Sequence, residues 1–312
     1  MTDSPASHRI NDPRWPTSIR VASVNFAAVP RDKAATLEKM ADAIGEAAAQ
    51  GADLVVFPEL ALNTWGSCES CASAHAPCDW HLGQAEAADG PSATRLAAEA
   101  ARHPIHVIYG FEETGDTPGT IHNSANLVAP DGSIQTYRKL HLGIPLETDR
   151  FTPGTELPVF ETALGPIAIS ICYDFYNNPE LARLQCLKGA RLLVNPTGRS
   201  DLPQARENLT HATLVRAQEN LVYAVSSNRV GSEHGDSSWA GGSVIGGPEF
   251  PGFAVALATA GASEEVIVAD LDFDHVAQWH GWLPWTEWRL GEQRPITDLV
   301  RREFAALLDG DG

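Results

Sequence analysis

Long apolar runs are missing from this sequence of 312 residues. No stretch approaches the roughly 18 consecutive apolar residues that a membrane-spanning helix needs, so we expect no membrane partner. The first twenty residues are polar and proline-rich, without the apolar segment of a secretory signal. We therefore expect a cytoplasmic protein.

Basic residues are also scarce. The chain has 22 Lys and Arg residues against 40 Asp and Glu residues, which gives a formal net charge of −18, and its basic residues form no cluster. Binding to the phosphates of nucleic acids requires a basic face, so we expect no nucleic-acid partner. Hydrophobic residues make up 43% of the chain, which is enough for a sizeable core.

Cysteines are few and odd in number. Five occur in the chain, and an odd count in a protein without a secretory signal argues against a disulfide framework. Three of them lie within residues 67–81, and a fourth, Cys172, ends an apolar run. We therefore expect reduced thiols and ask which of them could react.

Strand-like and helix-like patterns alternate along most of the chain. Residues 19–27 alternate as a strand does, residues 32–51 repeat apolar positions at helical spacing, and residues 52–59 form a buried apolar run. This alternation predicts an α/β domain over residues 19–274. We expect an N-terminal extension over residues 1–18 and a C-terminal arm over residues 275–312 that packs at an oligomer interface.

Three ends of predicted strands hold chemically complementary side chains. Cys172 precedes a predicted helix start, where a thiolate is favoured, although a strand cysteine is often only a small hydrophobic residue. Glu59 closes an apolar run and is suited to move a proton, unless it faces water. Lys139 ends a predicted hairpin and could stabilise an oxyanion, unless it is simply solvated.

The sequence blocks around these residues resemble a known family. "VVFPEL", "YRKLHL" and "ICYDFYNNPE", in this order, are similar to the three signature blocks of the carbon-nitrogen hydrolase (nitrilase) superfamily, amidase-like branch. The likeness extends over nearly the whole chain from about residue 19. It implies a single-domain four-layer αββα sandwich, no cofactor, and a homodimer or higher homo-oligomer.

The resemblance also implies a catalytic mechanism. Glu59, Lys139 and Cys172 match the family's triad of general base, oxyanion stabiliser and nucleophile, and Glu147 matches a second glutamate near the active site. The expected reaction is hydrolysis of the C–N bond of a small amide through a cysteine thioester, with release of ammonia or an amine. Alternatives are an N-carbamoyl amide hydrolase, a nitrilase, and an inactive scaffold that binds zinc or a protein partner.

The residues after Cys172 bear on the substrate. Tyr and Asp follow Cys172, as in the amidase branches, whereas true nitrilases tend to have Trp and Glu. Many relatives have an arginine a few residues later that binds a substrate carboxylate, and this sequence lacks it. Arg199 and Arg206 are alternative carboxylate ligands. The other candidate substrate-binding residues are Tyr173, Tyr176, Asn177, Asn195, Trp65 and Trp239.

A second group of potential ligands follows Glu59 in the sequence. Cys68, Cys71, His75 and Cys78, with His81 close by, are residue types found in zinc sites, and C-x2-C is a common half-site. No second C-x2-C follows at the usual separation. We expect a metal-free loop at the pocket mouth, with a structural metal and a redox-active pair as the alternatives.

Overall fold

The computed structural model of the protein describes residues 10–65, 68–233 and 238–309. The first nine residues of the predicted N-terminal extension therefore lie outside the described part. The strands in the described part are β1 Ser18–Asn25, β2 Leu54–Val56, β3 His106–Thr114, β4 Ile121–Val128, β5 Ile134–Arg138, β6 Ile167–Ile169, β7 Leu192–Thr197, β8 Tyr223–Asn228, β9 Val230–Ser232, β10 Ser238–Ala240, β11 Val244–Pro248, β12 Ala254–Thr259 and β13 Glu265–Asp272.

Helices occupy much of the sequence between these strands. They are α1 Lys33–Ala49, α2 Glu69–Ala74, α3 Asp79–Gln84, α4 Pro91–Arg102, α5 Pro145–Thr148, α6 Tyr173–Asn177, α7 Pro179–Leu187, α8 Ala205–Asn220, α9 Phe273–Trp282, α10 Trp285–Leu290 and α11 Arg294–Asp309. In the described ranges no helix is both long enough and apolar enough to cross a bilayer.

The larger strands form two sheets. The first has six strands in the order β13-β1-β2-β3-β4-β5, and its β1, β2 and β3 run parallel. The second has five strands in the order β12-β11-β8-β7-β6, in which β6, β7 and β8 run parallel and β6 is an edge strand. Antiparallel strands adjoin the parallel strands on both sides in the first sheet and next to β8 in the second.

Two hydrophobic cores give the fold its layers. One core lies between the sheets and joins side chains such as Val56 and Ile108 of the first sheet to Ile169 and Val225 of the second. The other core joins the opposite face of the first sheet to α1 and α4, while α8 packs on β8 and β11 of the second sheet. The resulting order of helix, sheet, sheet and helix confirms the predicted four-layer αββα fold.

Local sequence features explain the first helix and a close backbone contact beside it. The Asp32 side chain caps α1 by accepting a 2.9 Å hydrogen bond from the Ala35 N–H, and Gly51 follows the helix with φ of 79°. Gly110 of β3 lies directly against the backbone of Glu59, because a Cβ at position 110 would be 2.8 Å from the Glu59 Cα. Glycine therefore allows the segment after β2 to turn across β3.

The C-terminal segment begins inside the body of the protein. The predicted boundary at residue 275 falls within α9, whose Val276 and Trp279 are buried. The Trp279 indole N–H donates a 2.7 Å hydrogen bond to the Glu249 carbonyl. Further along, α11 presents a row of exposed apolar side chains, which includes Leu299 and Phe304.

Candidate active site

Three strand ends converge on one pocket. Glu59 lies three residues beyond β2, Lys139 immediately follows β5, and Cys172 lies three residues beyond β6. β2 and β5 belong to the first sheet and β6 to the second. The fold therefore brings together Glu59, Lys139 and Cys172 at the edge where the two sheets meet.

Cys172 occupies a strained turn between β6 and α6. Its φ of 48° and ψ of −101° are unusual for a residue with a side chain. Its N–H donates to the Pro196 carbonyl at 3.1 Å and to the Asn195 Oδ1 at 2.9 Å, which holds the turn in place. Since Tyr173 is the first residue of α6, helix geometry leaves its N–H without an intrahelical acceptor.

A buried lysine lies between two carboxylates. The Lys139 ammonium donates to the Glu59 Oε1 at 2.8 Å and to the Glu147 Oε1. The Glu59 Oε2 accepts a 3.0 Å hydrogen bond from the Gly198 N–H, and the Glu147 Oε2 accepts one of 2.8 Å from the Gly143 N–H. All three charged side chains are at most 2% exposed, so the charges are held in a low-dielectric environment.

This arrangement shifts the pKa values of its members. Burial first, and then the charge of Glu59, raise the pKa of the Cys172 thiol to about 12, although Lys139 acts in the opposite direction. Burial alone would lower the pKa of Lys139, but the neighbouring Glu59, Cys172 and Glu147 outweigh it and raise this pKa. Burial also raises the pKa of Glu147. The resting cysteine is therefore a thiol that needs a base.

A pocket of about 390 Å³ opens above this group. Cys172, Lys139 and Glu147 line its floor, and Trp65 and Tyr173 form part of its walls. Trp239 lies behind Trp65, with the two rings edge to face at 5.9 Å between centroids. The remaining lining residues are Gly143, Ile144, Gly198, Arg199, Ser200, Leu202, Pro203, Ala205 and Asn208.

Four of the predicted substrate-binding residues lie outside this lining: Asn195, Tyr176, Asn177 and Trp239. Asn195 is fully buried. Its Oδ1 accepts the hydrogen bond from the Cys172 N–H, and its Nδ2 donates to the Ser226 Oγ at 2.9 Å and to the Tyr176 hydroxyl at 3.3 Å. The Tyr176 hydroxyl donates to the Thr197 Oγ1 at 3.1 Å below Cys172. Asn177 is exposed at the end of α6. Of the predicted set, Trp65 and Tyr173 line the pocket, and substrate binding by the other four residues stays a prediction.

Asp174 is a positioning residue that the sequence analysis missed. Its buried carboxylate accepts hydrogen bonds from the Tyr137 hydroxyl at 2.6 Å and from the N–H groups of Leu140 and His141 at 2.9 Å each. These bonds fasten the segment that follows Lys139 to the helix that follows Cys172. An acid two residues after the candidate nucleophile was the available signal.

Glu59 has two further partners that were not predicted. The Asn123 Nδ2 donates to the Glu59 Oε1 at 2.8 Å. The fully buried Arg229 donates to the backbone carbonyls of Glu59 at 3.0 Å and Leu60 at 2.6 Å. Neither residue has a sequence feature that indicates this role, because Asn123 reaches Glu59 from β4 and Arg229 from the junction between β8 and β9.

The cysteine-rich segment forms a separate cluster. The side-chain ligand atoms of Cys68, Cys71, Cys78 and His81 all lie within 4.8 Å of one another. His75, which we had grouped with the cysteines, instead contacts the Asp149 Oδ1 through its Nδ1 at 2.6 Å. The expected membership is thus corrected, with His81 in place of His75.

Comparison with known proteins identifies relatives of this chain. The sequence profile of the carbon-nitrogen hydrolase family matches residues 20–281. The omega-amidase NIT2 of Xenopus tropicalis is 30% identical over 83% of this chain and 90% of its own length. An (R)-stereoselective amidase of Pseudomonas sp. is 31% identical over 83% of this chain and 86% of its own length.

Solved structures give the same result. A double mutant of the amidase from Nesterenkonia sp. AN1, in complex with acrylamide, superposes with a TM-score of 0.70 at 26% identity, covering 86% of this chain and 98% of that chain. Together with the profile match over most of the sequence, these similarities identify the family. The chain belongs to the carbon-nitrogen hydrolase (nitrilase) superfamily and is an amidase-type hydrolase that acts on non-peptide C–N bonds.

Proposed function

We propose that this protein hydrolyses a small amide through a thioester on Cys172. The observation that carries the proposal is the convergence of a strained, half-buried cysteine with Lys139 and Glu147 on the floor of one pocket, with the Glu59 carboxylate directly behind Lys139. A pocket of about 390 Å³ suits a small molecule.

Acylation begins with proton transfer. Glu59 takes the proton of the Cys172 thiol, and the thiolate attacks the amide carbon to form a C–S bond. Lys139 and the Tyr173 N–H stabilise the oxyanion that develops on the carbonyl oxygen. Glu59 then returns its proton to the nitrogen as the C–N bond breaks, which releases ammonia or an amine.

Deacylation uses the same groups with water. Glu59 takes a proton from a water molecule that attacks the thioester carbon, and it gives that proton to the Cys172 sulfur as the C–S bond breaks and the acid is released. Glu147 is a positioning residue in this scheme, because it holds the Lys139 ammonium and the Gly143 N–H. The residues described here complete the cycle by proton transfer and hydrogen bonding.

A substrate panel tests the activity. We expect ammonia release from small primary amides, and none from the Cys172→Ala variant. Release of carbon dioxide together with ammonia would indicate N-carbamoyl amide hydrolysis instead. Turnover confined to nitriles would contradict the proposal.

Lys139→Met tests the role of the buried cation. Losing one oxyanion donor should lower kcat by about 10²- to 10³-fold. The variant also leaves Glu59 and Glu147 facing each other without a counter-charge, which should lower the free energy of unfolding by about 3–5 kcal/mol. Steady-state kinetics and denaturant unfolding measure the two effects. Lys188→Met, at an exposed lysine after α7, is the control, and equal effects at both positions would contradict the assignment.

We further propose that Arg199 binds a carboxylate on the substrate. Arg199 lines the same pocket as Cys172 and Lys139, and a guanidinium suits bidentate binding of a carboxylate. Arg206, the other candidate, is not in the lining and donates to the Ala240 carbonyl at 3.0 Å. An amide that also bears an acid group is therefore the preferred substrate.

Paired substrates separate this proposal from binding of a neutral amide. For a monoamide of a short dicarboxylic acid, Arg199→Ala should raise KM by about 10- to 100-fold, because a charge-assisted hydrogen bond is lost. KM for a neutral amide of matching length should change little. Arg206→Ala should leave both values unchanged. An equal rise in KM for both amides in the Arg199→Ala variant would refute the role.

We also propose that α11 packs against a second copy of this chain. Its exposed apolar side chains recur at helical spacing, so they form one face: Ile296, Leu299, Val300, Phe304, Leu307 and Leu308. Phe304→Asp places a charge within this face and should shift the protein toward monomer in light scattering. The control is Arg301→Asp, on the polar side of α11. A wild-type monomer at micromolar concentration would contradict the proposal.

A further inference from the structure

Two half-sites with the same spacing face each other beside the pocket. Cys68 and Cys71 are separated by two residues at the start of α2, and Cys78 and His81 are separated by two residues at the start of α3. In each pair the first residue occupies the N-cap position of its helix, and the second residue lies in the first turn. The matching half-site is therefore C-x2-H and not a second C-x2-C.

The distances fit a single ion. All four ligand atoms lie within 4.8 Å of one another, and the Cys68 and Cys78 Sγ atoms are 3.7 Å apart. In a tetrahedral zinc site with Zn–S bonds of about 2.3 Å, two sulfurs are about 3.8 Å apart. The group is thus spaced as four ligands around one small ion.

The surroundings of His81 match those of a metal ligand. Its Nδ1 lies 2.7 Å from the Glu112 Oε1, and both side chains are buried. Metal-binding histidines commonly donate their second ring N–H to a carboxylate, which fixes the ring and its tautomer. Because Nδ1 is engaged by Glu112, Nε2 is the nitrogen available to an ion.

The sulfurs are also arranged for a closed site. Cys71 is fully buried, and its Sγ accepts a 3.3 Å hydrogen bond from the Cys78 N–H. Three sulfur ligands and one nitrogen ligand form a common structural zinc set, in which all four positions belong to the protein. A disulfide between Cys68 and Cys78 would leave the convergence of Cys71 and His81 unexplained.

We propose that Cys68, Cys71, Cys78 and His81 bind one structural Zn²⁺ ion. The ion would hold together a segment in which both helices are only six residues long, too short to be stable by themselves. It would release thiol protons on binding and undergo no redox change.

The proposed site is connected to the active-site pocket. His81 contacts Glu112, and the Arg150 guanidinium lies 3.7 Å from Glu112 while it donates a 2.8 Å hydrogen bond to the Trp65 carbonyl. Trp65 in turn lines the pocket. Loss of the ion should therefore loosen one pocket wall and raise KM more than it lowers kcat.

Metal analysis of the purified full-length chain tests the site directly. Elemental analysis should find about one zinc per chain. Replacement by Co²⁺ should produce intense thiolate-to-metal charge-transfer absorption together with the visible bands of a tetrahedral ion. Less than about a tenth of an equivalent of zinc after incubation with excess Zn²⁺, or a Cys68–Cys78 disulfide found by mass spectrometry under reducing purification, would overturn the proposal.

Matched variants identify the ligands. His81→Ala and Cys71→Ser should lower zinc affinity by at least about 100-fold, since each removes one of four ligands. His75→Ala, in the same segment, and Cys186→Ser, at a buried thiol of α7, should retain full zinc content. Loss of zinc from His75→Ala but not from His81→Ala would refute the ligand set. Should a ligand variant fail to fold, the Co²⁺ spectrum of the unmodified chain still decides.

Discussion

Cys172→Ala should lower kcat/KM for the best amide substrate by at least about 10⁴-fold, because the thioester cannot form without the sulfur. The other residues of the pocket floor remain, so binding of the amide should persist. Calorimetric titration of the variant with the amide, next to a sensitive ammonia assay, measures both quantities. Residual activity above a hundredth of the wild-type value would exclude Cys172 as the nucleophile.

Two further variants separate chemistry from folding. Cys186→Ala removes the buried thiol of α7, outside the pocket lining, and should retain nearly full activity. Cys172→Gly should be as inactive as Cys172→Ala but more stable by about 1 kcal/mol, because glycine adopts the φ of 48° at this position with less strain. Chemical denaturation of the two position-172 variants provides the comparison.

The alternation of strands and helices and the three strand ends could be predicted because their signals are local, whereas the four-layer order was implied by the family resemblance. Alternating apolar positions indicate β1, and a helical repeat that ends at Gly51 indicates α1. Glu59, Lys139 and Cys172 each lie at the end of a predicted strand. Each sequence block contains the residue and the element that positions it. Parallel strands then bring such ends to one edge of the sheets.

The partners of these residues were not predictable from the sequence in the same way. Whether Asn195 faces the pocket or the Cys172 N–H depends on the direction of the turn at Cys172, which is set by contacts between β6 and β7. Arg229 reaches the Glu59 backbone from the junction between β8 and β9, 170 residues later in the chain. His81 joined the cysteine cluster because two short helices face each other, a tertiary contact that spacing along the chain does not reveal.

Glu59→Gln should lower kcat/KM by about 10²- to 10⁴-fold, because glutamine cannot accept the proton of the Cys172 thiol. The Lys139 ammonium and the Asn123 amide each donate a 2.8 Å hydrogen bond to the Glu59 Oε1. The side-chain oxygen of glutamine can accept both bonds in the variant. The loss should therefore appear mainly in kcat. A variant that keeps more than a tenth of the wild-type kcat would contradict the assignment of Glu59 as the base.

The same Glu59→Gln variant should also contain more thiolate than the wild type, although it is less active. Burial and then the negative charge of Glu59 raise the pKa of Cys172 to about 12, while Lys139 lowers it. Without the Glu59 charge, burial still raises the pKa of Cys172, but Lys139 lowers it with one neighbouring carboxylate fewer. The pKa of Cys172 must therefore fall, and the thiolate must form at lower pH. Ultraviolet absorbance of the thiolate measures the change in pKa, with Cys172→Ala as the blank.

Alkylation by iodoacetamide provides a second measurement. It should be faster in the Glu59→Gln variant, because more of the cysteine is thiolate. Amide hydrolysis should still be slower, because the variant has no proton donor for the leaving nitrogen. Slower alkylation at neutral pH would show that Glu59 stabilises the thiolate, which would refute the electrostatic role assigned to it.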